Sequence, residues 1–375
     1  MEKLIESDRR LMQRALELAA LGIGQASPGP LVGTVIANGG EIVGEGFYLY
    51  DGLKHAETVA LEQAGGRARG ATAYVTLEPH AHHGRTPPCS EALIRAGIKR
   101  VVAPIEDPNP KVSGRGFAHL REAGVEVCNG VLKQEAAQLN EAYIHYMRTA
   151  RPFVHLKMAV SLDGKVATFS GDSRWITGEE ARVRAHELRH QYDAIMVGGR
   201  TVSADDPLLT DRSGQKRRRP LTRVVIEQYL RIQADSQLAQ TTEAGPVVVF
   251  AHGDSDPETV SALQSRGVEV ISQSNSTLDL PGVLAELGKR SIQSVLLEGG
   301  PSLAGLLLDA GLVNKITFFI APMIIGSQDA PSAIGGDGAE KIVNAVHLDN
   351  VQVKQWGRDI EITGYPATAS QTARP

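Results

Sequence analysis

Three short segments carry side chains that metal chemistry needs: His55-Ala56-Glu57, Glu78-Pro79-His80 and Pro87-Pro88-Cys89. A His-x-Glu pair followed by a Pro-Cys element is the arrangement of zinc-dependent hydrolytic deamination. There the histidine holds the metal and the glutamate moves protons without touching it. His55, His80 and Cys89 supply three ligands and leave the fourth tetrahedral position to water, as a hydrolytic zinc site requires. Imidazole is a competent zinc ligand, and a histidine in place of a thiolate removes one negative charge and leaves a stronger Lewis acid. His82 and His83 lie close enough to compete as ligands or to contact substrate. Histidines beside a cysteine can also form a solvated loop. The stretch 81–88 (AHHGRTPP) is too polar and too rich in Gly and Pro to be core, which favours function.

The second half carries a different chemistry. Ser161, Asp163 and Lys165, in LKMAVSLDGK, cannot all be buried unpaired and are expected to line a cleft. TVSADDPLLT (201–210) reads as a polar turn beyond a strand end, a place that suits ligands in an α/β sheet. Glu298-Gly299-Gly300-Pro301 is another such turn, where glycines expose backbone N–H groups that can hold a phosphate at a helix start. No G-x-G-x-x-G follows a strand in this half, so the usual dinucleotide fingerprint is missing. The basic run Lys216–Arg219 reads mainly as a solvated loop, with attraction of a phosphorylated substrate as the lesser reading.

The elements that must position these residues alternate between helix and strand. A helix is predicted over 8–22, a hairpin over 31–46 with its turn at Asn38-Gly39-Gly40, and then helix 55–64, strand 71–77, helix 90–96, strand 100–104, helix 116–123 and strand 125–128. After a break near Tyr146–Pro152 the pattern restarts: strand 153–160, helix 178–190 capped by Thr177 or Ser173, strands 194–198, 223–226, 246–251 and 294–297, helix 302–310 and strand 315–321. Alternation of this kind implies sheets covered by helices. Boundaries are expected at 1–147, 148–365 and a disordered tail at 366–375.

A chain of 375 residues suits two domains rather than one. A formal net charge of -4 gives no reason to expect nucleic acid as partner, and no apolar run approaches a membrane span. Two cysteines, Cys89 and Cys128, make no disulfide scaffold and indicate a reducing cytoplasm, with Cys128 a small core residue.

TLEPHAHHGRTPPC and DPNPKVSGRG (107–116) resemble the deaminase half of the bifunctional riboflavin-biosynthesis deaminase/reductase family; SLDGK, GDSRWITG, TVSADDPLLT and LEGGPSLAG resemble its reductase half. The resemblance implies an N-terminal cytidine-deaminase-like three-layer domain and a C-terminal dihydrofolate-reductase-like domain, both α/β. It implies Zn2+ on His55, His80 and Cys89, with Glu57 relaying protons as the catalytic residue. NADPH would lie against Ala159, Thr201, Asp205 and the segment Gly300, Pro301, Ser302, Leu303, Ala304, Gly305 and Leu306. Ser173, Trp175, Arg189, Leu209, Arg212 and Glu298 would hold a phosphorylated pyrimidine whose opened ribose is reduced, with the two arginines suited to phosphate. A homo-oligomer joined through the reductase domain is implied as well. The chain departs from the family in three places. His80 stands for a cysteine, Gly29 for the asparagine of a Pro-Asn-Pro turn that contacts the pyrimidine, and Glu227-Gln228 for Asp-Ser. Two readings therefore stand: a bifunctional enzyme, or a reductase whose first domain serves as a structural module.

Overall fold

Near-continuous apolar runs decide the architecture, because most strands bury both faces while their side chains alternate between the two sides of the sheet. The computed structural model of the chain describes residues 2–84, 86–110, 112–273 and 278–367. It forms two units, one of residues up to Ala150 with Lys216–Arg219, the other of Arg151–Gln215 and the chain from Pro220 on.

In the first unit, α1 (Glu2–Ala20) leads to a hairpin, β1 (Gly33–Asn38) and β2 (Glu41–Phe47). Then come α2 (Ala56–Ala64), β3 (Thr72–Val75), α3 (Cys89–Arg95), β4 (Arg100–Ala103), α4 (Arg115–Glu122) and β5 (Glu126–Asn129). Two helices, α5 (Lys133–Leu139) and α6 (Glu141–Thr149), close the unit. The sheet runs β2-β1-β3-β4-β5, antiparallel around β1 and parallel from β3 onward. Alternation splits its side chains between two cores: Val35, Ala37 and Val102 pack with Leu11, Met12 and Tyr143, whereas Ile36, Ala73 and Val101 pack with Ala60, Leu93 and Leu120. A helical layer therefore lies on each face. Every element predicted in this half is present to within a few residues. Cys128 is half-buried against the first of these cores.

The second unit comprises β6 (Phe153–Ser161), α7 (Glu179–Gln191), β7 (Ala194–Gly198), α8 (Gly199–Asp205), β8 (Thr222–Glu227), α9 (Gln237–Gln240), β9 (Val247–His252), α10 (Pro257–Ser265), β10 (Glu269–Gln273), α11 (Leu280–Lys289), β11 (Ser294–Glu298), α12 (Pro301–Asp309), β12 (Lys315–Ala321), β13 (Leu348–Trp356) and β14 (Asp359–Pro366). Its nine-stranded sheet is ordered β10-β9-β8-β7-β11-β6-β12-β14-β13. Pairing is parallel from β10 to β12 and antiparallel at β14 and β13. Val154, Leu156, Met158 and Val160 of β6 point into the main core, which leaves Lys157 and Ala159 on the opposite face.

Several expectations need correction. Residues 201–205 lie on a short helix, α8, rather than in a turn. Neither Ser173 nor Thr177 caps α7: Gly178 holds the cap position and its N–H donates to Asp359 Oδ2 at 2.6 Å, a partner 181 residues away. Ser161, Asp163 and Lys165 are paired within their turn and with the distant segment 325–330. Ser161 Oγ donates to Asp163, which also accepts from Ile325 N and Gly326 N, and Lys165 Nζ donates to Ala330 O. The hairpin β13–β14 was not anticipated, because β13 is exposed along most of its length and carries no buried stripe. Of the tail expected at 366–375, Pro366 ends β14 and residues from 368 lie outside the described set.

Arg223 sits fully buried in β8 and donates to the carbonyls of Leu208, Thr241 and Gly245 and to Thr241 Oγ1. Arg223→Met fills the volume but leaves those acceptors unpaired, at about 1–3 kcal/mol for each one that stays dry. Urea unfolding should report a loss of at least about 3 kcal/mol in the second unit's transition; an unchanged midpoint would show that the guanidinium contributes nothing net.

Candidate active sites

The ends of two helices bring the metal-type residues of the first unit together. His55 precedes α2, placing Glu57 in that helix's first turn; Cys89 opens α3. His80 comes from the loop after β3. One donor atom from each of His55, His80 and Cys89 lies within 4.8 Å of the others. Tetrahedral zinc holds nitrogen at about 2.0–2.1 Å and sulfur at about 2.3 Å, so this spacing fits one ion. His55 Nδ1 faces Cys89 Sγ at 3.1 Å while its Nε2 meets Thr86 Oγ1 at 2.9 Å, which fixes the ring's orientation. Burial, with His55 and His82 adding to it, pushes His80 down to about 4. The ring is therefore neutral at neutral pH, as a ligand must be. Burial, together with Glu57, pushes the Cys89 thiol up. His82 and His83 are not part of the donor cluster.

His55, His80, His82 and Thr86 line a cavity of about 240 Å³ whose other walls include Tyr48, Asp107, Asn109 and Tyr143. Glu57 faces it, 3% exposed, with Oε2 lacking a hydrogen-bond partner among the described residues. The loop of residues 107–117 is gathered by one carboxylate. Glu78 Oε2 accepts from Asp107 N and Gly114 N, and Oε1 accepts from Gly116 N and Phe117 N at 2.8 and 3.2 Å. Gly116 allows the approach, since a Cβ there would stand 1.8 Å from Pro79 O. Burial raises Asp107 to about 6 even though the Asn109 N–H and the Tyr143 hydroxyl both donate to it.

Arg218 and Arg219 of the basic run are docked, not solvated, while Lys216 is exposed. Arg218 and Arg219, half-buried, belong to the first unit and clamp residues 24–27. Arg218 Nε donates to Ser27 O at 2.9 Å and its guanidinium lies 4.2 Å over the Tyr50 ring; Arg219 Nη2 donates to Ser27 Oγ at 3.0 Å.

In the second unit α8 follows β7 and the Gly299-Gly300 turn follows β11, at the C-terminal strand ends that form the ligand edge of a parallel sheet. Thr201 Oγ1 accepts from Gly300 N at 3.1 Å, joining α8 to the Gly299-Gly300 turn. Gly300, Pro301 and Ala159 are half-buried and Ser302 and Leu306 exposed, whereas Leu303 and Ala304 pack into the core. Gly305 faces Gly335, whose oxygen would stand 2.1 Å from a Cβ. Asp205 accepts Arg174 Nη2 through its backbone oxygen. Trp175 is 66% exposed, with the Arg182 guanidinium over its ring at 4.7 Å. Ser173 is half-buried, Arg212 is exposed, and Leu209 is buried in the core beneath the loop.

Arg189 is paired with a carboxylate, which its charge alone did not reveal. It forms a bidentate pair with Glu298 at 2.9 and 3.0 Å, and Lys157 Nζ stands 3.6 Å from the same carboxylate. Burial alone would raise Glu298, but Arg189 and Lys157 outweigh it and hold the carboxyl at about 2. Lys157 was missed because it lies inside an apolar strand; the alternation of β6 was the signal that could have found it. Thr86, Asp107 and Asn109 were missed as site residues although each lies in a motif the sequence singles out.

The fold and the two clusters define a zinc-binding deaminase-type domain followed by a reductase domain. Residues 5–104 match the cytidine and deoxycytidylate deaminase zinc-binding region, and residues 152–362 match the RibD C-terminal domain. The chain belongs to the RibD family of riboflavin biosynthesis proteins. It is 46% identical to the Actinobacillus pleuropneumoniae riboflavin biosynthesis protein RibD, with 94% of each chain covered. To the Escherichia coli protein it is 43% identical, covering 94% of this chain and 98% of that one. The Acinetobacter baumannii RibD structure superposes with a TM-score of 0.86 at 37% identity, covering 97% of this chain and 100% of that one. A Thermotoga maritima diaminohydroxyphosphoribosylaminopyrimidine deaminase/5-amino-6-(5-phosphoribosylamino)uracil reductase gives a TM-score of 0.84 at 35% identity, covering 97% and 99%.

Two measurements test this geometry. Cys89→Ser should lower zinc affinity more than tenfold, and Thr86→Val, which frees the His55 ring, about 10–100-fold; competition with a chromophoric chelator reads both, and unchanged affinities would disperse the cluster. The second concerns pH. A carboxyl raised by folding contributes stability that is present below its unfolded range and lost as pH rises through about 6. Wild type should therefore lose stability relative to Asp107→Asn between about pH 4 and 7, and parallel melting curves over that range would reject a raised Asp107.

Proposed function

We propose that residues 1–147 hydrolytically deaminate a phosphoribosylamino-pyrimidine and that residues 148–365 then reduce its opened ribose to a ribityl chain with NADPH. The observation that carries the first half is the convergence of His55, His80 and Cys89 beside the unpartnered oxygen of Glu57. His55, His80 and Cys89 would hold Zn2+, which supplies the Lewis acidity that gives water a nucleophile's reactivity near neutral pH. Glu57 takes the proton released as water adds to the ring carbon bearing the exocyclic amine. It hands that proton to the amine, which leaves as ammonia. Asp107 and Asn109, which also line the cavity, offer polar partners to the pyrimidine edge.

For the second half, the N–H groups at the start of α12 and the bridge from Thr201 to Gly300 support a cofactor phosphate beside Asp205 and Ala159. NADPH supplies the hydride. Glu298, kept ionised by Arg189 and Lys157, accepts hydrogen bonds from the opened sugar, and the exposed Arg212 takes the phosphate while Ser173 and Trp175 shape the entrance over the buried Leu209. Two free cysteines fit a reducing cytoplasm. No described helix is long and apolar enough to cross a membrane. The small substrate makes nucleic acid unnecessary as a partner, and exposed Val351 and Val353 on the edge strand β13 favour self-association through the reductase unit.

Ammonia release from the aminopyrimidine, with NADPH withheld, tests the deaminase: zinc-loaded wild type should release it and Glu57→Gln should lose at least about a hundredfold in rate. No release from wild type would leave a reductase with a structural first domain. Asp205→Ala should weaken NADPH binding about tenfold by fluorescence titration, and unchanged affinity would remove Asp205 from the cofactor site.

A further inference from the structure

Tyr48, which lines the deaminase cavity, and Gly29, packed against its ring, make sense only together. Tyr48 lines the cavity, edge-on to His55 with ring centroids 5.3 Å apart. A side chain at Gly29 has no room beside it. A Cβ there would stand 2.6 Å from Tyr48 Cε1, 3.2 Å from its hydroxyl oxygen and 3.1 Å from Ala26 O. The surrounding backbone is pinned, so a side chain at Gly29 can be admitted only by turning the Tyr48 ring out of its place. Tyr48 N donates to Val32 O, Tyr50 N to Gln25 O and Gly29 N to Ala26 O. Asn140 exchanges two hydrogen bonds with the backbone of Leu31, and Arg218 and Arg219 hold Ser27.

We propose that Tyr48 is the substrate-orienting residue of this pocket and that Gly29 exists to admit it. The ring supplies a flat apolar wall beside a heteroaromatic base. Its hydroxyl, able to donate and to accept, meets the polar edge of the pyrimidine. Gly29, where the chain departs from its family's Pro-Asn-Pro, thus marks a substitution compensated across 19 positions of sequence rather than a lost contact. The inference deepens the deaminase reading and rests on it.

The test is a reciprocal swap read by steady-state ammonia release and by the visible bands of the cobalt-substituted protein on adding the aminopyrimidine without NADPH. Zinc stoichiometry and melting temperature identify variants that fail to fold. Tyr48→Phe keeps the wall and drops the hydroxyl; KM should rise about tenfold with kcat within about twofold. Gly29→Asn alone should lose more than tenfold in kcat/KM through the collision, and Tyr48→Ala with Gly29→Asn should recover activity above either single variant. An unchanged KM in Tyr48→Phe, or additive losses in the double variant, would overturn the inference. If wild type releases no ammonia, the deaminase reading fails by itself. The cobalt bands then decide: a ligand-induced shift that Tyr48→Phe weakens keeps Tyr48 as the orienting residue, and no shift in wild type removes it.

Discussion

One buried carboxylate holds the first unit's chemistry in register. Glu78 is 3% exposed and accepts four backbone N–H groups, two on each oxygen, all from the loop between Asp107 and Phe117. Four orphan amides, some at the start of α4, find an anion, and the anion finds full compensation for its burial. The bonds tie the segment that bears His80, two residues on, to the wall that bears Asp107 and Asn109. Neither wall has much regular structure of its own, so their spacing depends on this one group. The close approach of Gly116 to Pro79 shows how little slack the arrangement leaves.

Charge at the second unit's ligand edge is organised differently. There Glu298 is countered by Arg189 from α7 and Lys157 from the adjacent strand β6, whose register sets Glu298 opposite Lys157. A carboxylate so compensated stays ionised through the physiological range, loses its share of stability only as pH falls toward 2, and presents a fixed acceptor. Arg189 belongs to the support of that acceptor rather than to open solvent.

Much of this was legible in residue order. Helices and strands of the first unit followed from apolar periodicity, and His55, His80 and Cys89 from spacing within short motifs. What stayed hidden has a common physical form: long-range partners that leave no local pattern. Asp359 replaces Ser173 or Thr177 at the start of α7 from 181 residues away. Arg218 looks like a solvated charge until Tyr50 and Ser27 are seen beneath it. Arg189 reads as a bare phosphate partner and Lys157 draws no attention, because Glu298 arrives more than a hundred residues later. The exposed strand β13 escaped for the opposite reason, having no buried side to betray it.

The order of strands in the second sheet carries a consequence for how the chain is made. β6 is the first strand of that sheet to be synthesised, yet its two neighbours are β11 and β12, at residues 294–298 and 315–321. Its hydrogen-bonding edges therefore wait for more than 130 residues of later chain. The first unit's strands, by contrast, all lie within residues 33–129. A nascent chain can complete that sheet while both hydrogen-bonding edges of β6 are still unpaired, so the second unit closes late and through contacts distant in sequence.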